Sequence, residues 1–587
     1  MITRLRTDFE VGETPLAEYP RPQFQRDSYF TLNGQWDYAI YRQSEDFAGY
    51  QGKILVPFSP ESLLSGVKEG TMVMPNDKLY YHRTFTLPIG FNKGHTFINF
   101  DAVDFACTVK VNGAYVGEHV GGYTPFSLDV TSVIKDGDNS IDVEVTDPSD
   151  TSFHTRAKQA IKHGGIWYTP QSGIWQSVWI ESAPQTYLKD MTIVPDIDNG
   201  TVNIDTKVYG DEEVSVVVLD GETPIASGNT KGGRISLQVP NFECWSPENP
   251  KLYNLALKVG TDLIRSYFGM RKFSIMEDEN GIKRLALNNK PYFHNGLLDQ
   301  GYWSDGMLTP PSNAALEYDI KLVKEMGFNM IRKHIKIEPL LWYYYCDKYG
   351  ILVWQDFVSG GRKYNMLAIG VLPFIHINIK DNNYKFYARQ DEEGRLEYVN
   401  EMHETVQRLK NVPCLAQWVP FNEGWGQFDS IEITKQLRAL DNTRTIDSVS
   451  GWADQGKNSS DLKSLHIYFK PIVLPKREKR VIVISEFGGY SNPTEEHMFN
   501  PDKLFGYRMF KTKDALWEAY KKLYENRIIP GIAKGLSATV YTQVSDVEEE
   551  INGLITYDRK VVKFPVDKMK ELNDRIKYWG NKWVTQM

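Results

Sequence analysis

Up to about residue 183, apolar and polar positions alternate in short runs, among them HTFINFDAV (95–103), CTVKVNGAYV (107–116) and SIDVEVTD (140–147). A period of two puts alternate side chains on one face, the pattern of a half-buried strand. Asn-Gly, Gly-Gly and Asp-Gly steps separate the runs and supply the turns. Many short strands without long helical periods predict a β-sandwich, here jelly-roll-like, over 1–183. The texture continues on a smaller scale in MTIVPDI, TVNIDTKVYG, EVSVVVLDG, RISLQVP and LYNLALKVG, which predicts an immunoglobulin-like sandwich over 184–274. After about 275 helix-length amphipathic segments alternate with short apolar runs. ALEYDIKLVKEMGF (315–328) precedes NMIRKHIK (329–336), and LLWYYYCDKYG (340–350) precedes ILVWQDF (351–357). Together with PYFHNGL, LAQWVPF, TIDSVS, SLHIY, VIVIS and LSATVYTQ these make eight strands, as in a closed parallel (β/α)8 barrel over 275–587. A doubly wound open sheet is the alternative, but no GxGxxG follows the first strand. Residues 359–395 show no clear period, and a loop of that length is usually functional or mobile.

In a parallel barrel, chemistry gathers where the strands end. Two runs share an unusual ending there. AQWVPFNEGWGQ (416–427) closes in Asn422-Glu423 before glycines and Trp425, and VIVISEFGG (481–489) closes in Glu486 before Phe487 and glycines. An Asn-Glu pair also reads as a helix cap. On strands four and seven, however, Glu423 and Glu486 would face one cavity, and two carboxylates are what glycosidic cleavage needs. One protonates the leaving oxygen, and the other attacks the anomeric carbon or activates water. Glu423, beside Trp425 and opposite a like charge, suits the proton donor. Glu486 would stay ionised, with Arg332 and Tyr468 as stabilising neighbours. The other strand ends offer Asp299 and Gln300; His334 and Lys336, on one face with Arg332; Gln355 and Asp356; Trp452; His466; Tyr541, Gln543 and Asp546. Of these, Asp299, Arg332, His334, Trp425, Trp452, His466, Tyr468 and Gln543 join Asn422 as candidate sugar contacts. The same side chains also read as a polar layer filling the barrel, and Glu548–Glu550 as a solvated face.

Composition narrows the classes. The 587 residues are 41% hydrophobic, 24% charged and 13% aromatic, and the net charge is −8. Lysine and arginine clusters of the kind that bind nucleic acid are missing. The four cysteines, Cys107, Cys244, Cys346 and Cys414, have no metal-ligand spacing, so no metal site is expected. No apolar run approaches the roughly 20 residues that span a bilayer, and the first residues hold no apolar signal core. The expectation is a cytoplasmic protein with a carbohydrate substrate and no nucleic-acid or membrane partner; a homo-oligomer is compatible with the sequence. A binding protein with a degenerate barrel and a structural adhesin are the alternatives. The first requires loss of one of the two glutamates, and the second an anchor.

The order of sandwich, immunoglobulin-like unit and barrel, with NEGWG after strand four and SEFGG after strand seven, resembles glycoside hydrolase family 2, which includes β-galactosidases, β-glucuronidases and β-mannosidases. LNGQWDY (32–38), YHRTF (81–85), VNGAYVGEHVGGYTPFSLDVT (111–131), SGIWQSVWIE (172–181) and Phe268-Gly269-Met270-Arg271 carry the same likeness. The resemblance implies a retaining exo-glycosidase with Glu423 as acid/base, Glu486 as nucleophile and Asn422 on the sugar 2-hydroxyl. It implies no organic cofactor, although some relatives use divalent metal ions near the site. Where β-glucuronidases carry Asn-x-Lys-Gly, this chain has Glu550-Ile551-Asn552-Gly553, which argues against a uronate. Many β-galactosidases show Arg-His after strand one, where Asp299-Gln300 stand here. A neutral β-D-galactoside is the first expectation; a β-fucoside, β-mannoside, β-arabinopyranoside or oligosaccharide fragment is the alternative.

Overall fold

The computed structural model describes residues 3–231, 233–370, 372, 377–455 and 459–582. In the N-terminal sandwich a four-stranded sheet (Tyr29–Thr31, Val178–Ala183, His95–Phe100, Phe126–Asp129) faces a six-stranded one (Gly52–Val56, Gly34–Arg42, Asp77–Leu87, Gly137–Thr146, Ala106–Val111, Ala114–Val120). The alternation seen in the sequence is obeyed. Along Gly137–Thr146, Ile141, Val143 and Val145 turn inward to meet Trp36, Tyr81, Ile98 and Val109. The second unit pairs a three-stranded sheet (Tyr187–Asp196, Thr201–Tyr209, Arg234–Gln238) with a four-stranded one (Thr223–Thr230, Val214–Asp220, Tyr253–Val259, Asp262–Phe268), seven strands in all. Val202, Ile204, Val216 and Leu257 lie in its core.

The barrel strands are β1 (His294–Asp299), β2 (Met330–Lys333), β3 (Leu352–Asp356), β4 (Leu415–Val419), β5 (Thr445–Ile446), β6 (Leu462–Ile467), β7 (Val481–Gly488) and β8 (Leu536–Thr542). They form one parallel sheet in the order β5-β4-β3-β2-β1-β8-β7-β6. The remaining seam, β5 to β6, is bridged by Asp461 N on Ile446 O (3.0 Å) and Ile446 N on Asp461 Oδ2 (2.8 Å). All eight lie on the runs named from sequence. Helices α1 (Asn313–Glu325) and α2 (Leu340–Tyr349) follow β1 and β2. The chain enters the barrel through a short antiparallel hairpin, Phe273–Glu277 with Lys283–Leu287, whose Arg284 Nη1 donates to Leu536 O at the start of β8 (2.8 Å). The hairpin thus sits at the end remote from the chemistry.

Pro420 interrupts the fourth run, since it has no N–H for the ladder. The chain resumes as Phe421–Asn422, which pairs in parallel with Val449–Ser450. This break carries Asn422 and Glu423 above the sheet. The non-periodic stretch 359–395 holds a short helix, Met366–Gly370, and the start of α3 (Glu392–Leu409). Between them Asp381 Oδ2 accepts from Gln427 Nε2 (3.0 Å) and from the backbone N of Ser430 (2.9 Å), where α4 (Ser430–Leu440) begins. The stretch therefore braces the loop behind Glu423. Glu548–Glu550 is not a solvated face: Glu548 and Glu550 are buried, and the run anchors the first sandwich. Glu548 Oε1 accepts from Thr169 N (2.9 Å), Glu549 Oε2 from Gly165 N (3.1 Å) and Glu550 Oε2 from the Tyr168 hydroxyl. Among the described residues, no helix is long and apolar enough to cross a membrane.

Candidate active site

Glu423 follows the resumed strand with φ = +52°, and Gly424 and Gly426 continue at +79° and +60°. A left-handed carboxylate residue costs of order 1–2 kcal/mol of strain, which its surroundings hold in place: Glu423 N donates to Ser450 O (3.0 Å) and Trp425 N to Asn422 O (2.9 Å). The residue is 8% exposed, and its Oε1 lies 2.6 Å from His466 Nδ1. Glu486, 5% exposed, arrives directly on β7. Its Oε1 accepts from Arg332 Nη1 (3.1 Å) and its Oε2 from the Tyr468 hydroxyl (2.6 Å). Glu423, His466 and Glu486 each contribute one atom to a set lying within 4.8 Å of one another.

Arg332 organises the floor. Nε and Nη2 grip Asp356 Oδ1 and Oδ2 (both 2.9 Å), and Nη2 also meets Asn422 Oδ1 (2.9 Å). The amide orientation this fixes leaves Asn422 Nδ2 buried without an acceptor. His334 Nδ1 lies 2.6 Å from Asp356 Oδ2. Burial pushes the His334 pKa well down, so a neutral ring donates from Nδ1 and keeps Nε2 as an acceptor. His466 is held from behind by Ser450 Oγ, 3.0 Å from Nε2, and Ser450 in turn reaches Ser485 Oγ (2.9 Å). Trp452 meets the His466 ring edge-on at 5.6 Å, and Trp425 lies 6.3 Å from the His334 ring.

The two carboxyl groups are pushed apart electrostatically. Burial, then the Glu486 charge, raises the Glu423 pKa. Burial would raise Glu486 as well, but His466, Arg332, His334 and Lys158 outweigh it and bring its pKa to about 2. With His334 neutral, Arg332 is a lasting source of that field; Asp356 and Glu486 keep the guanidinium charged against its own burial. Burial and the Glu486 charge hold the Tyr468 phenol protonated. Of the two, Glu423 has its pKa raised and Glu486 has its pKa lowered.

Not every sequence candidate belongs to this cluster. Asp299 stands apart, with Oδ2 on Lys333 Nζ (2.6 Å) and Oδ1 on Gly301 N (2.9 Å). Gln543 is engaged by Gln300 Nε2 at its Oε1 (2.9 Å) and by Asn552 Oδ1 at its Nε2 (2.7 Å). The shared face read for Arg332, His334 and Lys336 fails at its far end. Strand β2 stops at Lys333, Ile335 is left-handed (φ = +46°), and Lys336 Nζ turns to Gly301 O and Leu308 O (2.7 and 2.8 Å). Sequence reasoning missed Tyr507, which stacks on Tyr468 with centroids 3.7 Å apart, and Lys158, which comes from the first sandwich. Tyr507 sits between named strands in a stretch with no period to mark it.

Glu423, His466 and Glu486 form the one grouping among the described residues whose atoms meet metal-ligand distances. Both carboxylates already have donors there, and a cation beside Arg332 would meet its charge. The set fits a proton-handling pair better than a metal.

Residues 66–184 match "Glycosyl hydrolases family 2, sugar binding domain", 186–271 match "Glycosyl hydrolases family 2", and 282–578 match "Glycosyl hydrolases family 2, TIM barrel domain". The chain belongs to glycosyl hydrolases family 2. It is 25% identical over 411 residues to a β-galactosidase of Streptococcus thermophilus, covering 67% of this chain and 37% of that protein. It is also 25% identical over 447 residues to a β-galactosidase of Thermoanaerobacter pseudethanolicus (strain ATCC 33223 / 39E), covering 71% and 55%. The chain thus spans only about two-fifths to just over half of the length of these two curated relatives. The fold is similar to that of a β-D-glucuronidase from Dictyoglomus thermophilum (TM-score 0.73, 19% identity, 95% of this chain and 98% of that one). It is likewise similar to a GH2 β-galacturonidase from Eisenbergiella tayi (TM-score 0.69, 19% identity, 95% and 98%).

Proposed function

We propose that the chain is a retaining exo-β-glycosidase that removes terminal non-reducing β-D-galactosyl-type sugars by double displacement. The observation that carries this reading is one pair of buried carboxyl groups that come within 4.8 Å of each other and have pKa values shifted in opposite directions. Glu486 would attack the anomeric carbon while Glu423 gives its proton to the departing oxygen. The resulting glycosyl ester at Glu486 leaves Glu423 ionised, ready to take a proton from water as that water attacks the same carbon. The close approach of the two side chains supports direct attack, since retention goes with carboxyl groups roughly 5–5.5 Å apart and inversion with a wider gap that admits water.

The neighbours have matching tasks. Arg332 and Tyr468 would hold Glu486 in line and ionised, and the open Nδ2 of Asn422 suits a sugar hydroxyl. Trp425 and Trp452 offer apolar faces to the ring, and His334 Nε2 accepts from a hydroxyl. The galacto preference rests on the β-galactosidase relatives. A 2-deoxy-2-fluoro-β-galactosyl fluoride tests the reading by mass spectrometry of the protein and its peptides. One glycosyl adduct, on the peptide holding Glu486, is expected; an adduct elsewhere, or rapid turnover giving the α-anomer first, would sink it.

A further inference from the structure

The first sandwich places a lysine beside the carboxylate cluster. Lys158 is only 6% exposed, and its Nζ lies 5.4 Å from the centre of the Trp425 ring and 5.8 Å from that of Tyr168. Its charge is felt at Glu423, Glu486, Asp356 and His334. Among the described residues, no hydrogen-bond acceptor or carboxylate pairs with Nζ, although the other inward-facing cations here, Arg332, Lys333 and Lys336, are all paired. A lysine held this deep, with aromatic rings rather than an acceptor beside its Nζ, suits an anion or a hydroxyl.

The backbone presents this lysine deliberately. Ala157 is left-handed (φ = +56°), a strained choice for a residue with a β-carbon. Arg156 N and Ala157 N both donate to Ser359 O (3.0 Å each), just past β3, and Lys158 O accepts from Tyr168 N (3.0 Å). The segment is thereby clamped to the barrel on one side and to its own sandwich on the other. Glu550, which anchors the neighbouring Tyr168, is occupied by the Tyr168 hydroxyl and by Asn552 Nδ2 (2.9 Å).

We propose that Lys158 is a specificity-determining residue that receives an anionic group carried by the sugar itself, a hexuronate carboxylate or a sulfate ester. This rests on the glycosidase reading above and narrows its substrate to acidic β-glycosides. A lone ammonium is a point charge, which tolerates either anion shape. Near two glutamates, an anionic sugar could be admitted only where such a cation offsets the repulsion.

Nitrophenyl β-D-galacturonide, β-D-glucuronide, 6-sulfo-β-D-galactoside and β-D-galactoside would be compared on the full chain and on its K158M and K158R variants. The native chain should favour an acidic sugar, and the galacturonide or glucuronide against the sulfogalactoside separates the two anions. In K158M the ratio of acidic to neutral kcat/KM should fall roughly ten- to a hundredfold, through KM, and K158R should restore part of it. Calorimetric titration with free galacturonate, glucuronate and galactose gives the same comparison without turnover. A native preference for neutral sugars, or equal losses on acidic and neutral substrates in K158M, overturns the proposal while leaving the glycosidase reading intact. Failure to cleave any glycoside, with acid-selective binding that depends on Lys158, overturns the glycosidase reading instead.

Discussion

Glu423 and Glu486 differ by a single proton, and that difference sets what each variant should do. Glu423→Gln keeps the shape and loses the acid. Turnover of aryl glycosides with strongly acidic leaving groups should suffer least in the glycosylation step, and natural alkyl glycosides should lose roughly 10²–10⁴-fold; equal losses on both would reject the donor role. Native kcat/KM should fall on the alkaline side as Glu423, its pKa raised by burial and by Glu486, loses its proton. The acidic limb should lie far lower, with Glu486 at about 2, and stopped assays from pH 3 to 9 would trace both. Tyr468→Phe removes one donor from Glu486 Oε2 and should cut kcat roughly ten- to a thousandfold, by analogy with the loss of one positioned donor, with little change in the melting temperature. The glutamates were legible in the sequence because a carboxylate ending an apolar run has few structural excuses. Asp299 and Gln543 are harder to place from sequence for the converse reason. Their partners, Lys333 and Asn552, satisfy them inside the wall, and nothing in a linear sequence shows which polar residue already has a partner.

At the level of elements, the loop after β4 depends on glycine and on the stretch before α3. Gly426 is left-handed at φ = +60°, and a β-carbon there would fall 2.0 Å from Gly360 O. Gly426→Ala should therefore lower both the melting temperature and kcat, whereas Gly90→Ala, on open ground at a similar φ of +75°, should cost only the backbone strain of about 1 kcal/mol. Differential scanning fluorimetry beside kinetics checks the pair. The alternation of helices and apolar runs made the eight strands readable. The bracing stretch 359–395 was not, because it works through single anchors such as Asp381, which leave no period. The acidic run 548–550 was misread for a related reason: its neutralising donors are backbone N–H groups of a distant sandwich, which composition cannot reveal.

Across the whole molecule, the two carboxyl groups pull on stability in opposite directions. A carboxyl group whose native pKa lies above its unfolded value costs stability increasingly as pH rises from that unfolded value through the native one. Glu423 is such a group, so Glu423→Gln should melt higher than the native chain near pH 8, with the advantage shrinking towards pH 4. Glu486 works in the opposite sense, since its lowered pKa adds stability above about 4.5 that is lost as pH falls towards 2. Thermal melts across that range would show both slopes. The segment around residues 153–169 reaches from one folded unit to the other's strand ends, so under the proposed function the pair that breaks the bond and the lysine that selects the sugar are encoded hundreds of residues apart. A lineage could change its diet by rewriting one stretch of its front sandwich while the reactive pair passes down unaltered.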